Sequence, residues 1–225
     1  SLYPEAETIY REYLQNACDS INEAISKGVL QSRNDGHIDI KIDKYKSTIT
    51  ITDNGIGIES KYAESRLKDI AKSTKRNSEA QAGFYGIGRL VGAGYCKKLT
   101  FQTSYVGENE TSELTFDVEQ ISAILNDETN DMGATEVIDT TTVFKTYPKV
   151  LSEKSFFRVI LSDIKPEYPE LLDEDEILKY LDKDIETYAQ DLENTNLLIS
   201  QCFMLYFFVY FYHCRQFGAS NSNML

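Results

Sequence analysis

Glu12, Asn16 and Asp19 recur at i, i+4 and i+7, a spacing that puts all three on one face of a helix. Their types suit hydrolysis. An amide oxygen beside carboxylates can hold a hydrated magnesium ion, which keeps most of its waters and takes few protein ligands. A carboxylate next to it can orient or deprotonate an attacking water. Taken alone, the three are equally a polar helix face that meets solvent. A second group is Asp53-Asn54-Gly55-Ile56-Gly57. A carboxylate at a strand end can accept a hydrogen bond from an exocyclic amine, while glycines let a flat ring approach the backbone; by itself the same run is also an ordinary tight turn. The third group, Gly83-Phe84-Tyr85-Gly86-Ile87-Gly88, leads into an apolar stretch. Backbone N–H groups at a helix start favour anions, so it is either a phosphate cradle or a structural loop.

The elements that must position these groups follow from periodicity. Apolar residues at Ile9, Tyr13, Leu14, Ala17, Ile21, Ala24 and Ile25, after Pro4 and before Gly28, predict an amphipathic helix. His37 to Ile42 and Ser47 to Thr52 alternate as two strands of a hairpin, and the second runs straight into Asp53. Glu59 to Ala82 is polar, with a weak helical period through Tyr62, Leu67 and Ile70, and between two glycine clusters it is expected to act as a lid. Leu90 to Tyr95 suits a helix. Lys98 to Tyr105, Glu113 to Val118, Thr135 to Phe144 and Phe156 to Leu161 suit strands. Helices and such strands imply an α+β two-layer sandwich, a mixed and mainly antiparallel sheet covered on one face by helices.

Composition narrows the function classes. The chain has 225 residues, 41% hydrophobic and 26% charged, with a formal net charge of -13, enough for one good core but poorly suited to a broad nucleic-acid surface. Cys18, Cys96, Cys202 and Cys214 lie far apart with no CxxC pair, arguing for reduced thiols in a cytoplasmic protein rather than a zinc site or a disulfide framework. The chain opens at Ser1 without a Met, as a fragment would. Residues 1–165 are read as one nucleotide-site domain. Residues 166–225 are read as an acidic helical segment or linker, with Asp173-Glu174-Asp175-Glu176, followed by an apolar tail. The tail from Leu197 to Cys214 has no Lys, Arg, Asp or Glu. It suits a buried strand, although its length leaves membrane attachment open.

The order and spacing of the three groups resemble the superfamily of gyrase, heat-shock protein 90, histidine kinases and mismatch-repair MutL, whose ATP site is built from three such motifs on a helix and strand sandwich, the Bergerat fold. The likeness is greatest to heat-shock-protein-90-like chaperones, through Asp69-Ile70-Ala71-Lys72-Ser73-Thr74 after a short helix and Gly83 to Arg89 as a lid-closing glycine motif. The resemblance implies ATP and Mg2+ as ligands, Glu12 as general base, Asn16 as the magnesium amide and Asp19 as a pocket acid. It implies Asp53 as the reader of the adenine amine, beside Gly55 and Gly57. Ile58 and Leu67 would pack on base and sugar, and Lys72 would approach the nucleotide. Gly83, Gly86 and Gly88, with Phe84, Tyr85 and Ile87 between them, would wrap the phosphates.

The chain also departs from that pattern. The family's later Gly-Thr, whose hydroxyl reaches the aspartate from a core strand, has no clean equivalent: Gly133-Ala134-Thr135 has an extra residue, Thr140 to Thr142 lack the glycine, and Phe156 to Leu161 shows neither. Thr135 is the choice made here. The arginine that such chaperones bring to the γ-phosphate from a second domain has no room in the remaining residues, so turnover by this chain alone is expected to be slow. The implied function is a chaperone-like ATPase with protein clients or a partner domain, a homodimer being left open. The alternatives are a nucleotide-sensing switch without useful hydrolysis and a sensor histidine kinase catalytic domain. The last needs a separate phosphoacceptor, since His37 falls on a strand and His213 in the apolar tail.

Overall fold

The computed structural model describes residues 6–72, 87–150 and 154–182. Helix α1 (Thr8–Ser26) opens the chain. It buries Ile9, Tyr10, Tyr13, Leu14, Ala17, Cys18, Ile21 and Ala24, the stripe expected from three- and four-residue spacing. It stops where Lys27 and Gly28 donate back to Glu23 and Ile25 and Gly28 turns left-handed at φ +71. A hairpin follows, β1 (Ile38–Asp43) and β2 (Thr48–Asp53), each one residue later than the sequence pattern predicts. Helix α2 (Ser60–Lys72) is next, then a single helical turn α3 (Ile87–Leu90) continued by a 3-10 turn at Val91–Gly94 in place of the one helix expected from Leu90 to Tyr95. Strands β3 (Cys96–Ser104) and β4 (Glu110–Asp117), helices α4 (Val118–Asn126) and α5 (Ala134–Thr141), and strands β5 (Thr142–Pro148) and β6 (Phe156–Ile164) come next, followed by a 3-10 turn at Pro169–Leu172.

The six strands form one sheet in the order β1-β2-β6-β3-β4-β5, with every pairing antiparallel. This is the α+β sandwich expected, although no parallel pair occurs among the described strands. The last of the described strands in sequence therefore sits at the centre, between β2 and β3. Alternation divides its two faces. Ile49, Ile51, Leu99, Phe101, Leu114, Phe116, Val159 and Leu161 are buried on the helix side. On the other side a polar rung crosses five strands. Arg158 donates to Thr52 Oγ1 (3.0 Å) and Gln102 Oε1 (2.9 Å), while Gln102 Nε2 (2.8 Å) and the Tyr147 hydroxyl (3.2 Å) both donate to Glu113 Oε2.

The expected strand from Thr135 to Phe144 is corrected: its first part is α5, and β5 begins only at Thr142. β-Branched residues favour extended backbone, yet here Val137 and Thr141 are buried four residues apart on one helical face. The Thr141 and Thr142 hydroxyls donate to the carbonyls of Val137 and Ile138 at 2.7 Å, using groups that a strand would leave free. After β6 the chain folds back on α1. The Tyr10 hydroxyl donates to the Leu171 carbonyl at 2.7 Å, Leu171, Ile177 and Leu181 are buried, and acidic Glu174, Asp175 and Glu176 face solvent. No helix among the described residues is long and apolar enough to cross a membrane, and the tail from Leu197 to Cys214 lies outside them.

Tyr13 ties α1 to the segment after α3. Its hydroxyl donates to the Arg89 carbonyl and accepts from the Gly92 N–H, both at 3.0 Å, and burial pushes its ionisation far above the usual phenol range. Tyr13→Phe leaves a donor and an acceptor unpaired in the interior and is expected to cost about 1–3 kcal/mol, read as a lower midpoint in urea unfolding with an unchanged slope. A midpoint equal to the wild type's would show that water replaces the hydroxyl without loss.

Candidate functional site

Asp53 is the last residue of β2, and the period of two that buries Ile49 and Ile51 turns its side chain to the helix side as well. Only 4% of it is exposed. Its Oδ1 accepts from the Gly55 N–H and from the Ser20 hydroxyl on α1, both at 2.9 Å. Among the described residues Oδ2 has no donor, so one carboxylate oxygen is fixed by the protein and the other is free for a ligand. Burial raises the carboxyl pKa to about 7, against the lowering effects of the Gly55 and Ser20 hydrogen bonds and the nearby Arg89 charge.

The loop after Asp53 is pinned on three sides. Asn54 donates from its backbone to the His37 carbonyl, accepts from the His37 N–H and donates its amide to the Asp35 carbonyl. The Ile56 N–H reaches the Ser20 carbonyl at 3.3 Å. The Ile58 N–H donates to Thr103 Oγ1 at 2.9 Å, and that hydroxyl donates onward to the Phe156 carbonyl at 3.0 Å. The glycines are required by close approach. A Cβ on Gly55 would overlap the Ser20 hydroxyl, and one on Gly57, at φ +70, would overlap the Ser104 carbonyl oxygen.

Strand register sets the floor of the site. Asp53 stands opposite Phe157 on β6, Phe157 opposite Thr103 on β3, and Thr103 opposite Ser112 on β4, so these four share one rung on the helix side. Phe157 packs against Phe101 with ring centroids 5.8 Å apart. The Arg89 guanidinium lies over the Phe157 ring, 5.3 Å from its centroid. Burial lowers the Arg89 pKa, opposed by Asp53, Asp19 and Glu23.

Of the residues singled out in the sequence, Asn16 lies half-buried on α1 one turn before Ser20, and Glu12 half-buried one turn earlier. The Asn16 amide has no protein partner among the described residues. Glu12 meets Arg11 at 3.7 Å, with both side chains more than a third exposed, a contact too solvated to hold the carboxylate in place. Asp19 is exposed and accepts from Gln15 at 3.2 Å. Ile58 (7% exposed) and Leu67 (0%) are buried in the core beside this loop. Thr135 is exposed in the first turn of α5, not on a core strand. Ile87 and Gly88 begin α3. The Lys72 side chain and Gly83, Phe84, Tyr85 and Gly86 lie outside the described residues.

Sequence reasoning gave no role to Ser20, Thr103 or Phe157, and quoted Arg89 only as the end of the glycine motif. Ser20 carried a signal, being four residues beyond Asn16 and eight beyond Glu12 on the same helical face. The hydroxyl that the resemblance places on a core strand thus reaches the aspartate from α1 instead, and the core strand offers Phe157.

The model of the family "Histidine kinase-, DNA gyrase B-, and HSP90-like ATPase" matches residues 5–145, more than half of the chain. Among curated proteins, the chain is similar to the chaperone protein HtpG of Clostridium perfringens (32% identity over 124 residues, 49% of this chain and 20% of that protein). It is also similar to HtpG of Clostridium acetobutylicum (35% over 104 residues, 42% and 16%) and of Rhodococcus jostii (28% over 145 residues, 54% and 23%). The matched region therefore spans about a fifth of the length of these relatives.

The raised pKa of Asp53 makes its charge a cost to folding. Unfolded, it titrates near 3.8; folded, at about 7. The stability tied to its neutral form is fully present below pH 3.8 and is lost as the pH rises through 7. Asp53→Asn cannot ionise and still accepts from Ser20 and Gly55. It is expected to be more stable than wild type at pH 8 by roughly 2–4 kcal/mol, and close to it at pH 4. Denaturant unfolding of both proteins at the two pH values checks this, and equal stability at pH 8 would contradict it.

Proposed function

Since the chain belongs to the histidine kinase-, DNA gyrase B- and HSP90-like ATPase family, we propose that it binds magnesium-ATP between α1 and the end of β2 and slowly hydrolyses the β–γ phosphoanhydride. The observation that carries this reading is the divided Asp53 carboxylate, with Oδ1 taken by Ser20 and Gly55 and Oδ2 left to accept from the adenine amine. Gly55 and Gly57 keep the neighbouring backbone close and bare enough for a flat ring, while the contacts of Ile58 and Leu67 with base and sugar rest on the resemblance, both side chains being buried in the core.

Asn16 and Glu12 would serve the phosphate end, one and two turns back along the same helix face. The unpartnered Asn16 amide fits a magnesium ion that keeps most of its waters. When bound, that ion neutralises phosphate charge and polarises the γ-phosphoryl group. Glu12, loosely held, is free to orient a water. The water oxygen bonds to the γ-phosphorus as the bond from that phosphorus to the bridging oxygen breaks, ADP leaves, and the water's proton passes to Glu12. The roles of Asp19, Lys72, Gly83, Phe84, Tyr85, Gly86, Ile87 and Gly88 in this reading rest on the sequence motifs. A cytoplasmic chaperone or switch acting on protein clients extends the reading from the HtpG likeness.

Calorimetric titration of magnesium-ATP into wild type and Asp53→Ala tests the pocket, with at least a tenfold loss of affinity expected in the variant; unchanged affinity would remove the adenine assignment. Glu12→Ala should keep its affinity within a few-fold and lose steady-state phosphate release by a factor of about a hundred or more. Undiminished release would leave a nucleotide-sensing switch, or a different base, as the better reading.

A further inference from the structure

Among the described residues, Arg89 is the cation that lies on the floor of the site described above. Its backbone is fixed by the Tyr13 hydroxyl, and its side chain is only partly exposed. A guanidinium carries five N–H donors and is costly to bury without acceptors. Among the described residues Arg89 has neither a hydrogen-bond acceptor nor an ion-pair partner for that group. Its face rests on Phe157, and Phe157 stands opposite Asp53 in the β2–β6 register. The acids that influence it, Asp53, Asp19 and Glu23, act across space rather than in contact, and Arg66 repels it. Among the described residues, this rung and the Arg89 side chain packed on it thus bring together a carboxylate oxygen without a donor, an aromatic face, and a set of donors without acceptors.

We propose that Arg89 is a specificity-determining residue of the base site, donating an N–H to the ring nitrogen that adjoins the exocyclic amine accepted by Asp53. This rests on the adenine-nucleotide reading and adds to it. Adenine presents its 6-amino group between two bare acceptors, N1 and N7. An amine donor beside a ring acceptor is the complement of a carboxylate acceptor beside a guanidinium donor. Removing the ring acceptor strands the buried guanidinium again, so discrimination against such a base is stronger than the mean strength of one hydrogen bond would give. Phe157 supports the guanidinium from below, which fixes its plane and its position relative to Asp53.

The test uses the full chain and three nucleotides: ATP, 7-deaza-ATP and 1-deaza-ATP, in which a C–H replaces N7 or N1. Wild type is expected to bind one of the two analogues about tenfold or more weaker than ATP, and which one identifies the nitrogen that Arg89 contacts. Arg89→Met should lose the same factor for ATP and bind ATP and that analogue equally. Arg89→Lys should recover part of the discrimination. Thermal melts of both variants establish that they are folded, and if either is not, the wild-type analogue series decides alone. Wild type that binds ATP and both analogues equally overturns the inference while leaving the adenine-nucleotide reading intact. A folded Arg89→Met that keeps full affinity and full discrimination does the same. Wild type that binds no ATP overturns both.

Discussion

Burying an ionisable carboxylate with no counter-ion in contact is unfavourable unless other groups solvate it, and the clasp on Asp53 is how this domain meets that constraint. Ser20 from α1 and Gly55 from the following turn converge on one oxygen. To do so the helix must cross the sheet at the end of β2 and the turn must bend back under it. The same demand explains why a Cβ is excluded at Gly55, why the Ile56 N–H is drawn to the Ser20 carbonyl, and why Asn54 anchors the turn to the start of β1. Helix, strand and loop are locked at one point, through one of the two carboxylate oxygens.

The two faces of the sheet divide the labour. On the helix side, hydrophobic side chains build the core until the rung of Asp53, Phe157, Thr103 and Ser112, where polar and aromatic groups take over. On the other side, the Thr52, Arg158, Gln102, Glu113 and Tyr147 rung joins five strands through hydrogen bonds between side chains. Each such bond adds little alone, but an uninterrupted row resists slippage of any strand, because a shift of one residue would break the row and reverse the faces. The helix-side rung can thus keep its alignment although it is short of apolar packing.

Much of this was legible in advance, for identifiable reasons. The three- and four-residue spacing in α1 and the alternation through Ile49 and Ile51 are local signals, so the helix that carries Glu12 and Asn16 and the inward aim of Asp53 could be read directly. Phe157 and Thr103 could not be assigned to the site that way, since their relation to Asp53 depends on register between strands that lie roughly fifty or a hundred residues apart, which no short window encodes. Ser20 shared the right helical face but is a residue type found on many faces. The run from Thr135 misled for a different reason: its β-branched residues favour a strand, while backbone hydrogen bonds from threonine hydroxyls and a buried four-residue spacing favour the helix that forms.

The central place of β6 has a temporal consequence. During synthesis the hairpin of β1 and β2 and the meander of β3, β4 and β5 emerge first, but they share no edge until Phe156 to Ile164 slides between β2 and β3. Until then each half exposes an open strand edge to solvent. The floor beneath the carboxylate, Phe157 included, arrives with that same insertion. Assembly of the sheet and completion of the rung that holds Asp53 are therefore one late, long-range event, and a nascent chain acquires that arrangement all at once rather than by degrees.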